Sequence, residues 1–322
     1  MYKLDKINKR ILFELDKNAR IPEAHLAKLI GKSKDAVRYR IANLEKDGII
    51  NGYTTWVDFT KLGYQPYKVY LKLSATSEQL KQFHDYISKE KRSFAFFTAD
   101  GTWSLGLAFF AKNHEEFYTI YTDLINKFEN IILSKTYCSM VDAIVGSPDL
   151  FEVGESHNPV FWSIPQNNDL DDIEKDLLKA LFKNGRESLV TLATKCNTTI
   201  DKIRTRMKRL DAQKIIFAYK AVIDYNKLGY EFYKSFVFLK NYTPEAEKRL
   251  LAHFKKDKNI LNILRMIGPW TLELETMVES YHQYNKIIHE LKKRFPDNIL
   301  DIESAIMNDI DLFPSSKLIF ED

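Results

Sequence analysis

At 322 residues, 45% of them apolar and 29% charged, the chain has the composition of a folded protein of two to four domains, which excludes the disordered and fibrous classes. It contains no run of about 18 apolar residues, and its opening MYKLDKINKRILFEL has no signal-peptide core, so neither a membrane span nor secretion is expected and the cytoplasm is the expected location. The net charge of +4 is uneven: residues 1–62 carry 13 Lys/Arg against 8 Asp/Glu, residues 169–228 carry 13 against 9, and the remainder is net negative, the pattern expected where two modules face a polyanion.

From the start of the chain, Leu4, Ile7, Ile11, Leu12 and Leu15 follow helical spacing, with Asp5 placed to suit the helix dipole. A second helix is predicted from Glu23 to Ile30, with Leu26 and Ala27 facing inward. Gly31 permits a tight turn, and Ser33 is a favourable N-cap for a third helix running to Lys46. On that helix Val37, Ile41 and Leu44 form the buried stripe, leaving Asp35, Arg38, Tyr39, Ala42 and Asn43 outside. Gly48 ends it, and IINGYTTWVDF reads as two short β segments hinged at Asn51-Gly52, a hairpin signal. Residues 1–62 therefore read as a winged helix-turn-helix, a unit whose third helix enters the DNA major groove.

Residues 63–142 change period. YKVYLKLSA (67–75) reads as a strand and 77–91 as a helix. FAFFTAD and TWSLGLAFFA are strands around Gly101, 114–129 is a helix, and ILSKTYCSMV is a last strand. The order β-α-β-β-α-β predicts a ferredoxin-like α/β module with one bare sheet face that needs covering. Residues 143–168 contain Pro148, Pro159 and Pro165 and read as a linker, although Phe151, Phe161 and Trp162 suggest that it packs on something.

Beyond the linker the chain repeats itself. A shift of 166 residues superimposes Leu4–Leu73 on Leu170–Leu239 without a gap, with 26 identities in 70 positions and KLGY in both. After one inserted residue, Gly101-Thr102-Trp103 aligns with Gly268-Pro269-Trp270, Phe128 with Phe295 and Asp142 with Asp309. Residues 169–228 are thus a second winged helix-turn-helix, and 229–322 a second ferredoxin-like module with a C-terminal tail. The overall fold class is α+β. In the second copy Asn197 and Lys214 replace the two turn glycines, and the outer face of the third helix (Thr199–Gln213) carries Lys202, Arg204, Thr205, Lys208 and Arg209. The α/β modules are expected to cover each other's bare sheets as an intramolecular pseudo-dimer. Groups placed to meet DNA are Ser33, Lys34, Arg38, Tyr39, Arg40 and Asn43 in copy one, and Lys202, Arg204, Thr205, Arg206, Lys208 and Arg209 in copy two.

LDKINKRIL, SKDAVRYRIANLEKDGII and GYTTWVDFTKLGY together resemble the leucine-responsive/AsnC family of feast-or-famine transcription regulators. The resemblance is specific from Leu4 to Tyr64 and a matter of pattern in the α/β part, and this one chain holds what two subunits supply in that family. It implies an N-terminal module for double-stranded DNA and a C-terminal module that dimerises, leaves room for further homo-oligomers and often binds an amino-acid-like effector. The family often places Gly and an acidic residue in the loop between the second and third strands. Here the loops read Asp100-Gly101-Thr102-Trp103 and Met266-Ile267-Gly268-Pro269-Trp270, so Gly101, Trp103, Gly268 and Trp270 are effector candidates, with a core role for the tryptophans as the alternative.

Phosphate-cradling glycine loops, a nucleophile elbow and zinc-protease spacing are all missing. His282 and His289 align on one helix but have no third ligand, and Cys138 and Cys196, far apart and outside CxxC spacing, read as reduced buried thiols. No cofactor, metal or catalytic residue is therefore expected, nor an enzyme. One enzyme alternative shares the architecture: sirohaem decarboxylases, whose usual Ser-His-Asn-Tyr stretch is missing, Ser156-His157-Asn158 falling in the linker before a proline. A protein-interaction scaffold with degenerate winged helices is the other.

Overall fold

The computed structural model describes residues 2–145, 150–151, 160–161 and 165–312. Copy one contributes α1 (Lys6–Lys17), α2 (Glu23–Ile30), α3 (Lys34–Lys46), β1 (Ile50–Val57), β2 (Gln65–Leu73), α4 (Ser77–Lys89), β3 (Ser93–Gly101), β4 (Leu105–Ala111), α5 (His114–Lys127) and β5 (Ile132–Val145). A two-residue β6 (Val160–Phe161) precedes copy two. That copy comprises α6 (Asp172–Lys183), α7 (Leu189–Lys195), α8 (Ile200–Ala212), β7 (Ile216–Ile223), β8 (Glu231–Leu239), α9 (Pro244–Phe254), β9 (Ile260–Ile267), β10 (Leu272–Val278), α10 (Tyr281–Arg294) and β11 (Ile299–Leu312).

The helices start where short polar side chains satisfy the free amides of the first turn. Asp5 accepts from the Asn8 N–H and Ser33 from the Ala36 N–H; Asp171 and Thr199 do the same for α6 and α8. Between α2 and α3 the chain turns through Gly31 at φ 69°, and after α3 through Gly48 at φ 66°. Copy two makes both turns with side chains present, at Asn197 (φ 46°) and Lys214 (φ 58°). Asparagine tolerates this conformation, whereas lysine holds it against its own Cβ, at a cost of about 1 kcal/mol.

Like modules come together. One unit is built chiefly from Met1–Lys61 and Asn168–Tyr230, the other chiefly from Leu62–Pro148 and Glu231–Asp322. In the first unit the expected hairpin is replaced. Ile50–Val57 runs as one strand through Asn51-Gly52, and it pairs antiparallel with β7 of the other copy. The turn signal becomes an irregularity between the Ile50↔Ile223 and Tyr53↔Ala221 pairs. A whole strand from the twin module offers more backbone bonds than a short return strand would. The pairing continues past the strand ends: the Ala19 N–H donates to the Tyr219 carbonyl and the Gly185 N–H to the Tyr53 carbonyl. Arg20 adds bonds to the carbonyls of Gly185 and Glu187. Ile11, Leu12, Leu15, Leu26, Val37 and Leu44 form the copy-one core, and the linker's Phe151 is buried in it. Trp162, Pro148, Pro159, Ser156-His157-Asn158 and the tail after Leu312 lie outside the described residues.

The second unit keeps the β-α-β-β-α-β order in each copy but joins the two sheets, where the sequence suggested two separate sheets face to face. Going round, β2-β4-β3-β11-β8-β10-β9-β5 are neighbours, and β5 pairs with β2, closing the ring; β6 adds to β5. The long last strands achieve this. β5 pairs with β2 up to Ser139 and with β9 from Ser139 to Val145. β11 pairs likewise with β8 and then β3. Alternation then sorts side chains between the two surfaces of the ring. Tyr67, Val69, Leu71, Leu105, Leu107 and Phe109 meet Phe83, Ile87, Phe117 and Leu124 of the covering helices. Their alternates, including Lys68 and Tyr70, point to the interior, where they meet β10.

Candidate nucleic-acid interface

α3 rests on buried Val37, Ile41 and Leu44, and α8 on Ile203 and Leu210, so each leaves the opposite face outward. On α3 that face presents Lys34, Arg38 and Tyr39 (69% exposed), with Asn43 half-buried and Ser33 at the cap. Arg38 reaches Glu23 of α2 at 2.8 Å and lies 3.7 Å from Asp35, both near the surface. Surface pairs of this kind bring little energetic gain. On α8 the outward groups are Lys202, Arg204, Thr205 and Lys208. Arg204 pairs with Asp201 at 3.2 Å, and the Thr205 hydroxyl donates to the Asp201 carbonyl. These exposed groups form a row of donors and cations on each third helix, the chemistry that phosphate and base edges accept.

Three of the arginines singled out from sequence face inward instead. Arg40 bonds Asp5 (2.6 Å) and Asn8 (2.9 Å) at the start of α1. Arg206 lies 2.7 Å from Asp171, the corresponding N-cap. Arg209 chelates Glu174, a fully buried carboxylate, through one guanidinium nitrogen at 3.0 Å to each oxygen. Burial opposes ionisation of Asp5, but its amide bonds and Arg40 outweigh that and hold its carboxyl below the usual range. The same pairs, Arg40–Asp5 and Arg206–Asp171, recur in both copies, so they fasten the third helix to the first. Helical spacing alone does not separate a clamping arginine from a reading one.

The effector candidates border the ring interior. Trp270 is 2% exposed, donates to Glu273 at 3.1 Å and packs on Tyr70 and Phe236; half-buried Trp103 lies 6.2 Å from it. Gly101 and Gly268 allow close approach: a methyl group on them would lie 2.4 Å from the Ser304 carbonyl and 2.8 Å from the Cys138 sulfur. Cys138 and Cys196 are buried free thiols, and burial pushes the Cys138 thiol far up.

The interior also holds a group of charges that sequence reading passed over. Lys68 of β2 and Lys234 of β8 meet Glu273 and Glu275 of β10: Lys68 is 2.7 Å from Glu273, and Lys234 bonds Glu275. Tyr70 and Trp270 donate to the other oxygen of Glu273, and Asn262 to that of Glu275. Burial would raise the Glu275 carboxyl, but Lys234, Lys68 and Asn262 overcome it and bring it down to about 2. The signal was in the repeat alignment, which places Gly106 and Ala108 opposite these two glutamates. Elsewhere in this unit a surface cleft of about 400 Å³ is lined by Leu80, Lys81, His84, Phe96, Thr98, Asp309 and Asp311.

With two capped helix-turn-helix modules side by side, the molecule is of the winged helix-turn-helix class, and a family model described as winged helix-turn-helix DNA-binding matches residues 4–51. The chain is similar to the transcriptional regulator LrpA of Pyrococcus abyssi, 31% identical over 134 residues that span 40% of this chain and 90% of LrpA. It is 28% identical to the regulatory protein AsnC of Haemophilus influenzae over 150 residues, 45% of this chain and 97% of AsnC. The chain belongs to the leucine-responsive regulatory protein/AsnC family. Its whole-length fold is similar to a solved siroheme decarboxylase, NirDL, with a TM-score of 0.66, 11% identity and 98% of both chains covered.

That last likeness overturns one expectation from sequence, that no enzyme is to be expected. Over nearly its full length this fold is also the fold of an enzyme, so missing familiar catalytic motifs do not set the chain apart from enzymes. Among the described residues no helix is long and apolar enough to cross a membrane.

Proposed function

We propose that this protein is a sequence-specific regulator of transcription that grips duplex DNA as a covalent pseudo-dimer, α3 and α8 addressing two half-sites. The observation that carries the reading is that both third helices keep a polar, cationic face open to solvent, with Lys34, Arg38 and Tyr39 on one and Lys202, Arg204 and Lys208 on the other. Because the two faces share only the arginine of Arg38 and Arg204 among these positions, the half-sites differ in sequence. An amino-acid-like effector rests on the family alone. Fluorescence anisotropy with the full chain and genomic fragments tests the proposal. Arg38→Ala and Arg204→Ala each weaken specific binding by about 1–3 kcal/mol, while unchanged affinity in both variants rejects it.

A second reading is favoured by the whole-length fold: a decarboxylase acting on a tetrapyrrole such as sirohaem. A substrate with many carboxylates calls for cations, and the cleft near His84 offers Lys81 but also Asp309 and Asp311. The visible spectrum of sirohaem mixed with the full chain and the mass of the recovered tetrapyrrole decide: a stoichiometric spectral shift with a mass loss of carbon dioxide supports this reading, and an unchanged spectrum and mass remove it.

A further inference from the structure

The charges inside the ring are unevenly divided between the two copies. Lys68 and Lys234 are the same position in the repeat, one from each copy, whereas Glu273 and Glu275 both come from copy two. At the matching positions copy one has Gly106 and Ala108. All four charged groups are buried or nearly so, with side-chain exposures of 5% for Lys68, 4% for Lys234, 0% for Glu273 and 16% for Glu275. As assembled, two ammonium groups face two carboxylates, and every carboxylate oxygen has a donor.

A ring made from two copy-one modules would enclose two lysines and no glutamate. One made from two copy-two modules would enclose two lysines and four glutamates. Each leaves two unbalanced charges out of water, which is far more costly than the balanced square. Gly106 makes room for the Phe97 ring, since a methyl group there would lie 1.8 Å from it, whereas copy two has Leu264 and Glu273 at these positions.

We infer that the buried lysine–glutamate square is a pairing code, which makes the strand-exchange surface of each α/β module accept the unlike copy and reject its own kind. The duplicated gene product thus closes its ring with one module of each sort, and two chains do not assemble through copy-one pairs or copy-two pairs.

The test uses the full chain with a protease site placed in the linker between residues 152 and 159. The folded protein is cut, unfolded in urea, refolded, and its halves are counted by native mass spectrometry. One-to-one complexes alone are expected. Homodimers of either half in statistical proportion overturn the inference. Because β1 and β7 also join the copies, a charge-free variant, Lys68→Met/Lys234→Met/Glu273→Gln/Glu275→Gln, separates the two sources: it should release homodimers, and strict one-to-one pairing there also overturns the inference. A cycle on the uncut chain covers the case in which that variant fails to fold. Lys68→Met and Glu273→Gln should each lower the folding equilibrium by about a hundredfold or more, with most of the loss recovered when they are combined. Additive losses contradict the code.

Discussion

At the rim of the ring the two copies build the same backbone irregularity and fill it differently. Where β5 of copy one crosses onto β9 of copy two, it is irregular between Met140 and Asp142, and Asp142 lies opposite Arg265, which also bonds Glu247 of α9. Where β11 of copy two crosses onto β3 of copy one, it is irregular between Met307 and Ile310, and Asp309 meets Thr98 at 3.5 Å, with Leu80 where copy two has Glu247. A guanidinium held between two carboxylates has become a threonine beside an open cleft. The interior repeats the lesson, with Gly106 and Ala108 against Glu273 and Glu275. Duplication preserved the strands, their register and the caps, and side chains diverged where one copy meets the other or meets solvent.

That contrast can be broken at several strengths. The largest effect is expected inside the ring: Glu275→Ala leaves the buried Lys234 ammonium only Glu273, 3.7 Å away and already bonded by Lys68, and costs about 3–5 kcal/mol in urea unfolding, whereas Ala108→Ser, the matching site, costs a small fraction of that. At the rim, Arg265→Ala removes the bonds to nearly buried Asp142 and costs about 2 kcal/mol, while Thr98→Ala stays within about 0.5 kcal/mol. The turns give small and oppositely signed effects: Lys214→Gly stabilises by about 0.5–1 kcal/mol by relieving a left-handed lysine, and Gly48→Ala destabilises by a similar amount. Thermal unfolding read on each variant checks these differences.

Acid sharpens the comparison from another side. Glu275 has an ordinary value of 4.5 and is held at about 2 in the folded protein. Its folded value is depressed, so the stability it contributes is complete above pH 4.5 and is lost as the pH falls from there toward 2. Asp5, also held low, is lost in the same direction. The Glu275→Gln variant should therefore show a flatter stability curve than the parent between pH 5 and 2; an unchanged curve shows that this carboxylate is not charged and paired in the folded chain.

Much of this was readable beforehand wherever local rules decide the outcome. Asp5 and Ser33 announced their helices, Gly31 and Gly48 their turns, and the order of strands and helices in both α/β modules followed from period alone. What escaped depended on partners distant in sequence. Asn51-Gly52 is a hairpin signal unless a second copy supplies β7, and nothing within eleven residues says so. Lys68 in YKVYLKL looks like the solvated side of a strand until the ring closes over it. Arg40 and Arg206 sit on the third helices at spacings that suit DNA, yet their rotamers are claimed by Asp5 and Asp171.

The most direct test of the central claim is the salt dependence of DNA binding by the full chain beside the Arg38→Ala/Arg204→Ala double variant. If both third helices meet phosphate and base edges, with about six phosphate contacts in all, log affinity for the preferred fragment should fall against log salt with a slope near −5. The double variant should then lose both the slope's full steepness and the preference among sequences. A flat salt response in the parent, or a double variant that binds and discriminates as the parent does, contradicts the assignment of these helices to DNA.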